Sequence, residues 1–176
     1  MYQMLSPNII TALRLIAALA LPICCALNAW SLALCVFISA LFTDYIDGLY
    51  ARLTQQTSPF GAFFDAFTDK VLTTTCLTIL MYEQIITQWH IIPTLLILWR
   101  EIFVASIRHL PTHTKTTPFL NRLKTFVQML ACSALLATHL STTFYTIGII
   151  LLWSASLLSV VSARMYWHKL KFFINK

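Results

Sequence analysis

The sequence predicts an all-α fold: a polytopic membrane protein of six transmembrane helices, both termini cytoplasmic, forming a single integral-membrane domain over residues 1–176. Three observations lead there. Hydrophobic residues make up 59% of the 176 and charged residues only 10%, for a mean hydropathy of +0.76, well above that of a soluble domain. Long stretches run without any charge, and every Lys and Arg can be placed on one side of a bilayer at once. The apolar content excludes a disordered chain, and three glycines exclude collagen.

The first two helices come from Leu15 to Thr43, which is 29 residues without a charge. That is too short for two spans of about 20 residues each. Extending it back to Asn8 and forward to about Arg52 accommodates two, with a turn near Asn28, and draws Asp44 and Asp47 toward the membrane. The third helix runs from about Phe60 to Tyr82 and the fourth from about Ile91 to Leu110. Pro59, Pro93 and Pro111 mark their boundaries, because proline suits helix starts and loops. Thr125 to Ala163 is 39 residues without a charge, about twice what crosses a hydrocarbon core. Polar Thr138-His139-Leu140-Ser141-Thr142-Thr143 in its middle makes it helices five and six.

With the N-terminus inside, the outer turns fall near Asn28, at 83–91 and at 138–143, and none contains Lys or Arg. The twelve basic residues are then cytoplasmic or at cytoplasmic helix ends, as the positive-inside rule requires. The net charge of +6 is a one-sided basic surface, and the cluster Arg164, His168, Lys169, Lys171 and Lys176 is expected to rest on anionic headgroups. Nucleic acid is not an expected partner. A cleaved signal peptide is not expected either, because the front segment is long and carries the single charge of Arg14. The five cysteines lie within predicted spans without paired spacing and read as small packing residues.

Chemistry concentrates between residues 44 and 69. Four of the six acidic residues and two of the three glycines lie there: Asp44, Asp47, Gly48, Gly61, Asp65 and Asp69, with Ala51 and Arg52 between. A charge near the bilayer centre costs about 2.5–3.5 kcal/mol on insertion scales, so several acids at the ends of apolar helices need something to neutralise them. Divalent cations serve. Asp44 and Asp47 are i and i+3 on the second helix, and Asp65 and Asp69 are i and i+4 on the third, so each pair shares a face. Four carboxylates with no nearby Cys or His suit Mg²⁺ or Mn²⁺, and two ions leave less excess negative charge than one. Asp44, Gly48 and Arg52 continue one face, and Gly61, Asp65 and Asp69 repeat the pattern. Glycine weakens a helix by about 1 kcal/mol relative to alanine, so Gly48 and Gly61 read either as notches for a bound group or as helix–helix contacts. Arg52 aligns with Asp44 and suits a phosphate or carboxylate partner.

The pattern D-x2-D-G-x2-A-R-x8-G-x3-D-x3-D, complete from Asp44 to Asp69, resembles the signature of the CDP-alcohol phosphatidyltransferases; eight fixed positions in 26 residues make it specific. The resemblance implies a six-helix membrane enzyme, a homodimer with a two-metal site open to the cytoplasmic leaflet. It implies that Asp44, Asp47, Asp65 and Asp69 bind metal, that Asp69 also acts as the catalytic base, and that Asp44, Gly48, Arg52 and Gly61 serve CDP-diacylglycerol binding. Pro7-Asn8-Ile9-Ile10-Thr11-Ala12-Leu13-Arg14 resembles the N-terminal segment of several branches. Arg100-Glu101-Ile102, Ser106-Ile107-Arg108, and Lys124-Thr125 with Gln128 resemble the bacterial branch whose acceptor is glycerol 3-phosphate. Asn121 stands where a glycine is common.

The expected activity is therefore transfer of a phosphatidyl group from CDP-diacylglycerol to glycerol 3-phosphate, with release of CMP, in phospholipid biosynthesis at a bacterial cytoplasmic (inner) membrane. Arg108 and Lys124, both at the cytoplasmic side, and the deeper Arg100 are candidates to hold the acceptor's phosphate. Arg100 lies within an apolar span and needs a partner, either Glu101 or substrate. Two other readings remain open. One is a sister transferase acting on phosphatidylglycerol, serine or an inositol phosphate. The other is a cation transporter, which predicts acids spread through several helices rather than clustered on two.

Overall fold

Six α-helices follow one another along the chain: α1 (Pro7–Ala26), α2 (Trp30–Thr54), α3 (Pro59–Tyr82), α4 (Ile91–Ile107), α5 (Pro118–Leu136) and α6 (Thr142–Ile174). Short 3₁₀ turns at Gln88–His90 and Ala137–His139 precede α4 and α6. The structure is a computed structural model. It describes the backbone of residues 7–54, 59–107 and 118–174 and, within these, the side chains of residues 12–43, 63–65, 67–106 and 119–167. Every regular element among the described residues is helical, as the sequence predicts.

Local chemistry sets the boundaries. Pro7, Pro59 and Pro118 each open a helix, where a missing N–H costs nothing and the fixed φ is already helical. The turn predicted near Asn28 is a Schellman cap. Asn28 takes φ 55°, Ala29 N–H donates to Cys24 O at 2.9 Å, and Asn28 N–H donates to Cys25 O at 2.8 Å. Asparagine tolerates the left-handed region better than most residues, so the chain reverses without a glycine.

Two helices are longer than the charge pattern suggests. The fifth begins at Pro118 and takes in Arg122 and Lys124. The sixth runs for 33 residues and carries the basic positions from Arg164 to Lys171 on one continuous helix. Charge interrupts an apolar run without breaking a helix, and nothing between Ala163 and Ile174 is a breaker. At 1.5 Å per residue α6 is about 50 Å long, against about 30 Å of hydrocarbon core.

Two segments, Gln88–Ser106 and Thr142–Trp167, are long and apolar enough to cross a membrane by length and composition. Among the described residues, Ala12–Ala26 and Trp30–Thr43 are shorter apolar stretches. Likewise Asp65, Asp69 and Lys70 interrupt α3, and Arg122 and Lys124 interrupt α5.

The helices fall into two compact units, Met1–Glu83 and Gln84–Lys176. In the first, α1 packs against both α2 and α3. Its buried stripe is Arg14, Ala18, Leu21 and Cys25, and α2 presents Ala33, Phe37 and Ala40. Beyond the motif the buried face of α3 carries Leu72, Thr73, Cys76 and Leu80. In the second unit, α6 packs against α4 and α5. At Gly148 α6 comes close to α5: a Cβ there would stand 2.7 Å from the Leu135 side chain and 3.2 Å from its backbone nitrogen. Trp153 Nε1 donates to His90 Nδ1 at 3.2 Å, tying α6 to the 3₁₀ turn before α4. The five cysteines are free thiols; Cys24, Cys25, Cys76 and Cys132 are buried and Cys35 is exposed.

Candidate active site

Asp65 and Asp69 lie one turn apart on α3, and one arginine contacts both. Arg14 on α1 sends Nη2 to Asp65 Oδ1 at 2.7 Å and Nη1 to Asp69 Oδ1 at 3.0 Å. The guanidinium is sealed, with 1% of its side chain exposed, whereas Asp65 keeps 46% and Asp69 26%. The same region of α3 is stiffened locally: Thr68 donates to Phe64 O at 2.8 Å and Thr73 to Asp69 O at 2.9 Å. The sequence assigns neutralisation of these acids to divalent cations alone; the structure adds a cation of the protein itself. The signal for it was present, because a lone arginine in an otherwise apolar helix needs an anionic partner.

Asp65 and Asp69 fit a hard divalent cation. Both are carboxylates, they share a helix face, and both remain partly exposed. Among the described residues no group of three or more His, Cys, Asp and Glu lies together. Asp44, Asp47, Gly48 and Arg52 are on the helical backbone of α2 and Gly61 on that of α3; their side-chain positions lie outside the described residues, and so does all of Arg108.

The second unit holds a buried polar network. Arg100 on α4 donates through Nη2 to Asn121 Oδ1 on α5 at 2.9 Å and to Ser162 Oγ on α6 at 2.7 Å. Ser162 Oγ in turn donates to Asn121 Oδ1 at 2.9 Å. Nη1 of Arg100 bonds Glu101 Oε1 at 3.1 Å, and the guanidinium stands 5.9 Å from the Tyr166 ring centroid, within cation–π range. Lys124 on α5 bonds the same Glu101 oxygen. Two cations therefore share one carboxylate, and the trio is formally cationic. Arg100 Nε is buried and makes no hydrogen bond among the described residues. Lys124, with 2% of its side chain exposed, and Gln128 below it continue the buried face of α5. The sequence leaves Arg100 a choice between Glu101 and substrate; the structure gives it Glu101, with Asn121 and Ser162 in addition.

Comparison with known proteins places these motifs in a family. Residues 4–161 match the family model described as CDP-alcohol phosphatidyltransferase, and the chain belongs to that family. Among curated relatives, a Cereibacter sphaeroides protein named CDP-diacylglycerol--glycerol-3-phosphate 3-phosphatidyltransferase is 42% identical over 58% of this chain and 48% of its own length. A Wigglesworthia glossinidia brevipalpis protein of the same name is 34% identical over 80% of this chain and 79% of its own. A third so named, from Rickettsia typhi, is 33% identical over 94% of this chain and 96% of its own.

Proposed function

We propose that this chain transfers the phosphatidyl group of CDP-diacylglycerol to glycerol 3-phosphate, giving phosphatidylglycerol phosphate and CMP. The observation that carries the reading is the family match over residues 4–161, joined by relatives named for that reaction that align along 94% of the chain. The acceptor's primary hydroxyl oxygen attacks the phosphorus nearest the diacylglycerol. The bond from that phosphorus to the bridging oxygen breaks, and CMP leaves with the bridging oxygen. Asp69 takes the hydroxyl proton. Asp44, Asp47, Asp65 and Asp69 would hold two Mg²⁺ or Mn²⁺ ions, whose charge stabilises the pyrophosphate oxygens when bound. Gly48, Arg52 and Gly61 join Asp44 in receiving the CDP-diacylglycerol headgroup.

Lys124, Arg100 and Arg108 take the acceptor's phosphate. What supports this is the gathering of Arg100 and Lys124 about one carboxylate and the buried Nε of Arg100, which makes no hydrogen bond among the described residues. A phosphate dianion accepts several such bonds at once.

The reaction is placed at a bacterial cytoplasmic membrane, with six spans, both termini cytoplasmic and two copies of the chain associated. Exposed apolar side chains support burial in lipid. Leu13, Ile16, Leu19 and Ile23 line the outside of α1, and Ile150 and Leu157 that of α6, surfaces that water does not favour. The test is purified protein with CDP-diacylglycerol and a panel of acceptors, read by CMP release. Release with glycerol 3-phosphate and not with phosphatidylglycerol, serine or inositol phosphate is expected. Release with one of the others alone would replace the acceptor named here.

A further inference from the structure

Two carboxylates one turn apart on a helix repel one another, yet Asp65 and Asp69 both turn their Oδ1 atoms to a single guanidinium. The arrangement uses what is particular to arginine. Its planar fork offers two terminal nitrogens in fixed relation, and each takes a different acid; the compact ammonium of lysine has no such span. The bonds reach across from a different helix, and the residue that makes them is almost wholly buried while both acids retain partial exposure. Arg14 thus bridges the pair from the buried side of the contact, while the acids keep surface that a cation from solution can reach.

We propose that Arg14 is a resident counter-cation of the metal-binding carboxylates: a positioning residue that keeps Asp65 and Asp69 converged before a divalent ion arrives and fixes the rotation of each carboxylate toward it. The proposal rests on the metal role assigned to those acids above. It has a thermodynamic consequence. Arg14 and a divalent ion neutralise the same two carboxylates, so the less the protein supplies, the more folding depends on the ion. Removing the guanidinium leaves two adjacent carboxylates whose repulsion an added cation relieves.

The experiment measures thermal unfolding of the full chain in detergent micelles, with EDTA or with Mn²⁺, alongside Mn²⁺ binding by electron paramagnetic resonance. Wild type, Arg14→Gln and Arg14→Lys are compared. In EDTA, Arg14→Gln is expected to unfold several degrees below wild type, with Arg14→Lys between them, because lysine keeps the charge and loses the bridge. Mn²⁺ is expected to raise the midpoint of Arg14→Gln by more than that of wild type, recovering most of the loss. A role in packing alone predicts the opposite: both proteins gain equally from Mn²⁺, and the deficit persists. That result would overturn the proposal, and so would an Arg14→Gln midpoint equal to wild type in EDTA. If Arg14→Gln does not fold, the same comparison is made between wild type and Arg14→Lys. A failed metal assignment looks different, since wild type itself would then bind no Mn²⁺, and the proposal would fall with the reading beneath it.

Discussion

Arg100 and Asn121, 21 residues apart in sequence, meet through a 2.9 Å bond from Nη2 to Oδ1 that joins α4 to α5. A glycine at position 121 would leave that acceptor out. Hydrogen bonds to charged groups contribute about 1.5–3 kcal/mol. Asn121→Ala should therefore lower the thermal midpoint and raise the apparent KM for glycerol 3-phosphate, with donor KM unchanged. Unfolding curves and initial rates check both; an unchanged midpoint would show that Ser162 and Glu101 suffice.

Glu101 pairs with both Arg100 and Lys124. Removing one member of a buried ion pair typically costs about 3–5 kcal/mol, because the other charge is left uncompensated. Glu101→Gln should be more damaging than Glu101→Gln combined with Lys124→Met. A double-mutant cycle on unfolding free energies measures the coupling, and additive losses would mean that the pair is not energetically linked.

Gly148 admits no side chain without movement of Leu135. Overpacking of a closed helix contact costs about 1–3 kcal/mol. Gly148→Ala should destabilise by that order, and Leu135→Ala in the same chain should recover part of the Gly148→Ala penalty. Thermal midpoints of the single and double variants decide it, and a Gly148→Ala protein as stable as wild type would show that Leu135 yields freely.

The six helices were legible because charge-free runs, prolines and polar turns are strong local signals. The turn at Asn28 and the pairing of Asp65 with Asp69 on one face followed from period and spacing alone. Helix ends at Pro118 and Ile174 were not, because a charge delimits an apolar run but does not terminate a helix. Partners across helices were hidden for another reason. Arg14 is 51 residues from Asp65, and Arg100 is 62 from Ser162, and no local pattern encodes which helices pack. What the sequence does carry is the demand for a partner: a lone cation in an apolar helix implies an anion nearby. Applied to Arg100 that rule points to Glu101; applied to Arg14 it points to the acids of the motif.

Metal dependence follows from the four acids. A chelator should abolish turnover, and Mg²⁺ or Mn²⁺ should restore it. Asp44→Asn should weaken CDP-diacylglycerol binding itself, since that acid is assigned to the donor side. Donor affinity measured on the variant checks this, and chelator-resistant turnover would remove the two-metal reading.

The most direct measurement follows labelled glycerol 3-phosphate into the lipid phase as CDP-diacylglycerol is consumed, for wild type and Asp69→Asn. The account predicts one lipid-borne label for each CMP released. It also predicts that Asp69→Asn keeps most donor binding while turnover falls by about 10²- to 10⁴-fold, the usual loss for a general base. CMP release without label entering lipid would contradict phosphatidyl transfer to this acceptor, and Asp69→Asn turnover within a few-fold of wild type would contradict the role given to Asp69.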